Sequence, residues 1–224
     1  MKGLFWKRKM MTYELDRKPS LNTPLDKLAF TVFDTETTGF AIGASDRLIE
    51  LGAVHIENLT VTDKTFQTFV NPNRLIPDEI ITLTGIDNQM VKEAPEALQS
   101  IEDFFRFIEE CGSDGLVGHY ISFDLMVLKK ELAREKYTFA SPLCLDTLDL
   151  IGYLNPSWDM RDLENYAKTF STKIYQRHSA IGDALTTAHL FCELLKLIQD
   201  RGKNTLADLM QILDVNNRTR TFQF

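Results

Sequence analysis

The feature that most limits what this chain can become is a pair of acids closing an apolar run, Phe30-Thr31-Val32-Phe33-Asp34-Thr35-Glu36-Thr37-Thr38-Gly39-Phe40. β-Branched and aromatic residues from Leu28 to Asp34 favour a buried strand. Strand side chains alternate faces with a period of two, so Asp34 and Glu36 project to one side. Neighbouring carboxylates at the end of a buried strand repel each other and are costly to desolvate. A fold tolerates them mainly when a cation sits between them. Alone, Asp-x-Glu reads as a solvated turn. Here Thr-Thr-Gly comes at once after the acids and permits a tight turn with close backbone approach to a ligand.

The remaining segments place that strand in an α/β context. Arg47 to Ile56 and Thr65 to Val70 read as second and third strands, and their short connections favour an antiparallel meander. On the second strand His55 shares a face with Ile49, Leu51 and Ala53, with Glu50 on the other; both read as structural. Residues 77–93 suit short helical turns opened by Pro77-Asp78-Glu79. Ile101, Phe104, Phe105 and Ile108 mark an amphipathic helix that Gly112 ends. Leu116–Tyr120 and Leu143–Asp146 are short strands. Between them a helix runs to about Lys136, with Ser122 or Asp124 near its N-cap. Helical segments come next near 147–154 and 159–170, then a long helix from about Ile181 to Gln199 and a short one from Thr205 to Leu213, with a frayed end. The sum is a mixed five-stranded sheet flanked by helices. One domain, residues 26–200, carries nearly all the signal. It lies between an N-terminal extension, 1–25, and a short C-terminal tail, 201–224.

Charge narrows the function classes. The chain has 25 basic and 32 acidic residues, which argues against holding nucleic acid by a polycationic surface. It is compatible with meeting phosphates through divalent metals. The basic cluster Lys2, Lys7, Arg8 and Lys9 reads as a solvated tail before a nucleic-acid or partner contact. Cys111, Cys144 and Cys192 are widely spaced in apolar contexts and read as buried thiols of a reducing cytosol. No apolar run has membrane-spanning length, so the expected setting is cytoplasmic, without membrane contact.

Three separated places supply chemistry. Asp34 and Glu36 end the first strand, Asp124 starts a helix beyond the fourth, and His178 and Asp183 straddle the start of the long helix. Four carboxylates offer hard oxygen ligands suited to Mg²⁺ or Mn²⁺ rather than zinc, and enough of them for two ions. Histidine is the residue of the set suited to act as a general base. Singly, each has a structural explanation: Asp124 and Asp183 as helix-terminus acids, His178 as a surface loop residue.

The ordered segments Phe33-Asp-Thr-Glu-Thr-Thr-Gly-Phe40, Gly118-His-Tyr-Ile-Ser-Phe-Asp-Leu125 and His178-Ser-Ala-Ile-Gly-Asp-Ala184 closely resemble the histidine subgroup of the DEDD exonucleases, the DnaQ-like enzymes. That subgroup includes the proofreading epsilon subunit of bacterial replicative polymerase. The resemblance extends from about Leu28 to Leu197. It implies a ribonuclease H-like fold and two-metal, 3′-to-5′ release of nucleoside monophosphates. Asp34, Glu36, Asp124 and Asp183 match the metal-binding acids, and His178 matches the base. Thr37 and Gly39 would approach the terminal nucleotide, with Phe40 as a stacking face, and Glu79 and His119 match further substrate contacts. Tyr120 stands where many members have Asn, and Thr84 where several have His. Asp146 resembles a recurrent element read as structural.

The expected activity is therefore removal of nucleotides from single-stranded or frayed 3′ ends of DNA. Alternatives are an exoribonuclease, or a non-catalytic binding or assembly subunit. The assembly alternative is docking on a DNA polymerase or sliding clamp, the latter through Gln211-Ile-Leu-Asp-Val215, a short match of a kind that arises easily by chance.

Overall fold

In a computed structural model of the chain, residues 8–15, 17–157 and 162–220 are described, with side chains through Leu213. Lys2 and Lys7 of the basic cluster and the start of the expected 159–170 helix lie outside them. The centre is β2 (Ala29–Thr37), β-branched and aromatic, paired antiparallel with β3 (Leu48–Glu57). A two-residue turn then leads into β4 (Thr60–Phe69). Asn58 and Leu59 both have positive φ, 52° and 54°, the conformation that matches the twist of a tight hairpin. The third strand therefore begins earlier than the expected Thr65, because the turn carries no glycine to mark it.

β5 (Gly115–Gly118) and β7 (Cys144–Asp146) add in parallel on the other side of β2, giving the order β4-β3-β2-β5-β7. This is the mixed five-stranded sheet that the alternation of segments anticipated.

Alternation along β2 divides the core. Phe30 and Val32 face α6 (Ala180–Asp200), α4 (Thr147–Leu154) and α5 (Leu163–Thr169), in a cluster that includes Phe191, Leu195 and Tyr166. Phe33 faces α2 (Ala97–Cys111) and α3 (Ile121–Arg134), packing with Phe104, Ile101 and Leu128. By the same alternation Asp34 and Glu36 belong to the α6 face. A third small cluster holds Ile49, Ile76, Ile80 and Val91 around α1 (Asp78–Thr84). Among the described residues, no helix is long and apolar enough to cross a membrane.

Three further segments differ from expectation. Residues 8–15 do not form a solvated tail: β1 (Lys9–Met10) pairs in parallel with β6 (Tyr137–Thr138), Met11 and Leu15 are buried, and Tyr13 meets Phe105 edge-on at 5.8 Å. Short apolar pieces without periodicity gave no sign of this docking. The last helix, α7 (Leu206–Arg220), continues through the stretch expected to fray. Within Gln211–Val215, Ile212 and Leu213 are buried against the α4 and α6 side of the core. Finally, α3 is entered through Tyr120 in a left-handed conformation, φ 64°, and neither Ser122 nor Asp124 caps it.

Candidate active site

The site forms where β2 ends between the starts of α3 and α6. Register puts Asp34 opposite Gly52 and Glu36 opposite Glu50 across the β2–β3 pair. Gly52 is what allows α6 to approach. A Cβ there would collide with the backbone of Ala180 and Ile181, so the first turn of α6 lies directly on β3 beside Asp34. Gly182 serves a second close approach, since a Cβ would strike the Gln176 carbonyl. The connection 176–179 is thereby folded back against the first turn of α6, bringing His178 beside Asp183.

Glu50 secures the same junction. Its carboxylate accepts from the Ala180 N–H (2.8 Å) and from Gln67 Nε2 (2.7 Å). An acid on the unsatisfied N–H groups of a helix start is favourable both as a hydrogen bond and against the helix dipole. From the other side, Asp124 in the first turn of α3 reaches back to β2. Its Oδ1 accepts from the Thr35 N–H (2.9 Å) and Thr35 Oγ1 (2.6 Å). Asp124 thus ties helix to strand rather than capping its own helix.

All four acids are raised above the ordinary carboxylate range, first by burial. Burial, then the charges of Asp124, Glu36 and Asp183, hold Asp34 well above the ordinary carboxylate range. Burial, then Asp183 and Glu50, pushes Glu36 up to about 8. Asp124 is raised by burial to about 7, against the lowering effect of the Thr35 hydrogen bonds. Asp183 is raised by burial and held back by Arg177. Like charges confined in a poorly solvated site are the arrangement that a bound cation relieves.

His178 adopts a left-handed backbone conformation, φ 58°, unusual for a residue with a side chain and a form of strain that concentrates at functional sites. Its N–H donates to Asp183 Oδ2 (3.2 Å), while Arg177 Nη1 pairs with Asp183 Oδ1. Glu36, His178 and Asp183 each offer a ligand atom, all within 4.8 Å of one another. Asp34 and Asp124 join them through mutual electrostatic coupling. Carboxylate oxygens dominate the donor set, which fits a hard divalent cation.

The other residues singled out by sequence are placed less uniformly. Thr37 Oγ1 donates to the Gly39 carbonyl (2.7 Å), shaping the turn. Asp46 holds the same loop by accepting from Thr38 Oγ1 and the Ala41 N–H. Phe40 is 81% exposed, its ring 6.1 Å from that of Phe123. His119 is half-buried, its Nδ1 2.7 Å from Thr147 Oγ1 and its ring edge-on to Tyr120 and Tyr166. Glu79 is exposed in the first turn of α1 and is not among the leading charges acting on the acids. The Thr84 hydroxyl is committed within its own turn, donating to the Ile80 carbonyl and accepting from the Ile86 N–H. Asp146 is the N-cap of α4, accepting from the Leu148 N–H and also from that of Tyr120.

Sequence reading missed Arg177, and its reading of Glu50 as structural agrees with the hydrogen bonds to Ala180 and Gln67 without showing what they anchor. Alternation did put Glu50 on the face opposite His55, but only the register with Glu36 and the packing of α6 show what that face meets. Arg177 directly precedes His178, a position whose relevance depends on the backbone turn between them.

Known proteins are similar to this chain in sequence and fold. The family model RNase_T, described as Exonuclease, matches residues 31–191. The chain is 38% identical over 182 residues to the DNA polymerase III PolC-type of Bacillus subtilis (strain 168), covering 80% of this chain and 12% of that protein. It is 35% identical over 191 residues to a DNA polymerase III subunit epsilon-like protein of Rhodobacter capsulatus, covering 84% of this chain and 27% of that one. The chain therefore spans only a minor part of the length of these relatives. Among solved structures, the nuclease domain of 3′hExo, a DEDDh family member, bound to rAMP, is similar with a TM-score of 0.67. Identity there is 20%, covering 75% of this chain and 92% of that one.

Proposed function

This chain belongs to the exonuclease family whose model spans residues 31–191, and on that premise we propose that it removes nucleoside 5′-monophosphates from the 3′ ends of DNA. The observation that carries this reading is the meeting of Asp34, Glu36, Asp124 and Asp183, from β2, α3 and α6, with His178 beside Glu36 and Asp183. In this reading the four carboxylates hold two divalent ions, Mg²⁺ or Mn²⁺. When bound, these supply charge stabilisation to an in-line phosphoryl displacement.

The chain's own residues do the rest. His178 accepts the proton of the attacking water, and the strained turn of residues 177–179 orients its ring toward the acids. One P–O bond forms to that water oxygen, and the bond to the 3′ oxygen of the preceding nucleotide breaks, that oxygen taking a proton from solvent to leave a 3′-hydroxyl on the shortened strand. The turn built by Thr37, Gly39 and Asp46 seats the terminal nucleotide, and exposed Phe40, backed by Phe123, offers an aromatic face for its base. Glu79 and His119 are kept as flanking substrate contacts. The relatives' names favour DNA and a polymerase partner. Docking on a sliding clamp through Gln211–Val215 would require α7 to release Ile212 and Leu213 from the core.

RNA is the second reading, because the similar 3′hExo domain holds rAMP. The two differ by contacts to the ribose 2′ position. One experiment tests both: DNA and RNA oligonucleotides labelled at either end, incubated with the protein in Mg²⁺, Mn²⁺ or EDTA. Metal-dependent mononucleotide release from the 3′ end of DNA is expected. Release from the 5′ end, or activity in EDTA, overturns the reading, and preference for RNA selects the alternative.

A further inference from the structure

Both carboxylate oxygens of Asp183 are engaged by the connection that precedes α6. Oδ2 accepts from the His178 N–H, and Oδ1 is paired with the Arg177 guanidinium. The positive charge of Arg177 also acts on Asp34 and Glu36, partly offsetting their upward shift. We propose that Arg177 is a built-in competitor for the cation at Asp183, so that the affinity of the site for divalent ions is set partly by release of this ion pair. The inference rests on the two-ion reading of the site and concerns a residue which that reading does not use.

Arg177 and a metal ion compete for Asp183. A guanidinium cannot lose its proton under any working condition, so it remains a full positive charge beside the acids. A cation binding Asp183 is opposed by the guanidinium already paired with Oδ1, because like charges at ion-pair distance in a poorly solvated site repel. The side chain has somewhere to go. Arg177 is 23% exposed, against 9% for Asp183, and its long stem lets the head swing into water while the backbone stays in place. The charge-assisted pair is then lost once, when the ion at Asp183 binds, and the affinity of that step is weaker by its strength. A purely structural Arg177, bracing the 177–179 turn, would instead weaken ion binding when removed, because Asp183 and His178 would lose their alignment. The two roles predict opposite signs.

The test is Mn²⁺ binding to the full chain, measured by electron paramagnetic resonance at one pH and ionic strength. Arg177→Gln should bind Mn²⁺ about tenfold more tightly than the natural chain, equivalent to about 1.4 kcal/mol. Its metal-free form should unfold at lower urea. Arg177→Lys, which keeps the charge but not the planar fork, should shift the affinity in the same direction by a smaller factor; this variant decides the matter if the glutamine form does not fold. Lys173→Gln removes a like charge from an exposed position on the same connection and should shift affinity less than about twofold, as expected for a solvent-screened charge. Unchanged or weaker binding in both Arg177 variants overturns the proposal, as does an equal gain in Lys173→Gln. If neither the natural chain nor any variant binds Mn²⁺, the two-ion reading itself fails, and that outcome is distinct from the others.

Discussion

Glu36 and Glu50 stand directly opposite each other across the β2–β3 ladder. Paired like charges in a sheet are ordinarily destabilising, yet here they have separate duties. Glu50 turns to the N–H of Ala180 and Gln67, while Glu36 joins Asp183 and His178. One buried acid anchors the helix that carries the site, and its neighbour belongs to the site.

Removing the anchor should therefore loosen the site from a distance. Glu50→Ala leaves the buried Ala180 N–H without its partner at the start of α6, which costs about 1–3 kcal/mol. Urea unfolding should show that loss, together with a fall in kcat exceeding any change in KM. A variant as stable as the natural chain would mean that α6 is positioned without Glu50.

Relieving repulsion within the acid cluster should do the reverse for stability. Asp34→Asn removes one of the like charges that crowd Glu36, Asp124 and Asp183, so the metal-free protein should melt at a higher temperature. Activity should fall by about 10³-fold, the scale of losing a principal electrostatic group. Retained Mg²⁺-dependent nucleotide release would remove Asp34 from the chemistry.

His178 lies within ligand distance of Glu36 and Asp183, so its role needs a split readout. As a base, His178→Ala should lose about 10²–10⁴-fold in rate with little change in Mn²⁺ affinity. Parallel losses in both would make it a ligand.

The raised acids also set a pH dependence. In metal-free protein, Glu36 moves from an ordinary 4.5 in the unfolded chain to about 8 in the fold, and Asp124 from 3.8 to about 7. The folded state binds the extra protons, so their contribution is fully present below about pH 4 and lost as pH rises through 7 and 8. Melting temperature in EDTA should therefore fall between about pH 5 and 8.5. Mg²⁺ should raise it most at the alkaline end, where no proton has to be displaced. A rising melting temperature in EDTA over that range would contradict the assignment.

Close approach at Gly182 gives a steric test. Gly182→Ala forces a Cβ onto the Gln176 carbonyl and should cost about 1–3 kcal/mol, the usual scale of overpacking. Activity should fall with it, as the 176–178 segment is pushed off Asp183.

What was readable before folding was whatever repeats along the chain or carries chemistry in a short span. Alternation over Phe30–Glu36 placed two acids on one face of a buried strand. The helical period of Ile101, Phe104, Phe105 and Ile108 gave α2, and the residue types at Asp124, His178 and Asp183 pointed to a hard-cation site. These properties are local, because side-chain direction and ligand chemistry depend on neighbours in sequence. The roles of Glu50 and Arg177, the reach of Asp124 to Thr35 and the docking of residues 8–15 were decided only in three dimensions. Each depends on which distant backbone comes near: β3 beneath α6 at Gly52, the 176–179 turn against Asp183, and β1 beside β6. The acids at the end of β2 were evident from the sequence alone. Their setting, with one cation already among them, came from the packing of α6.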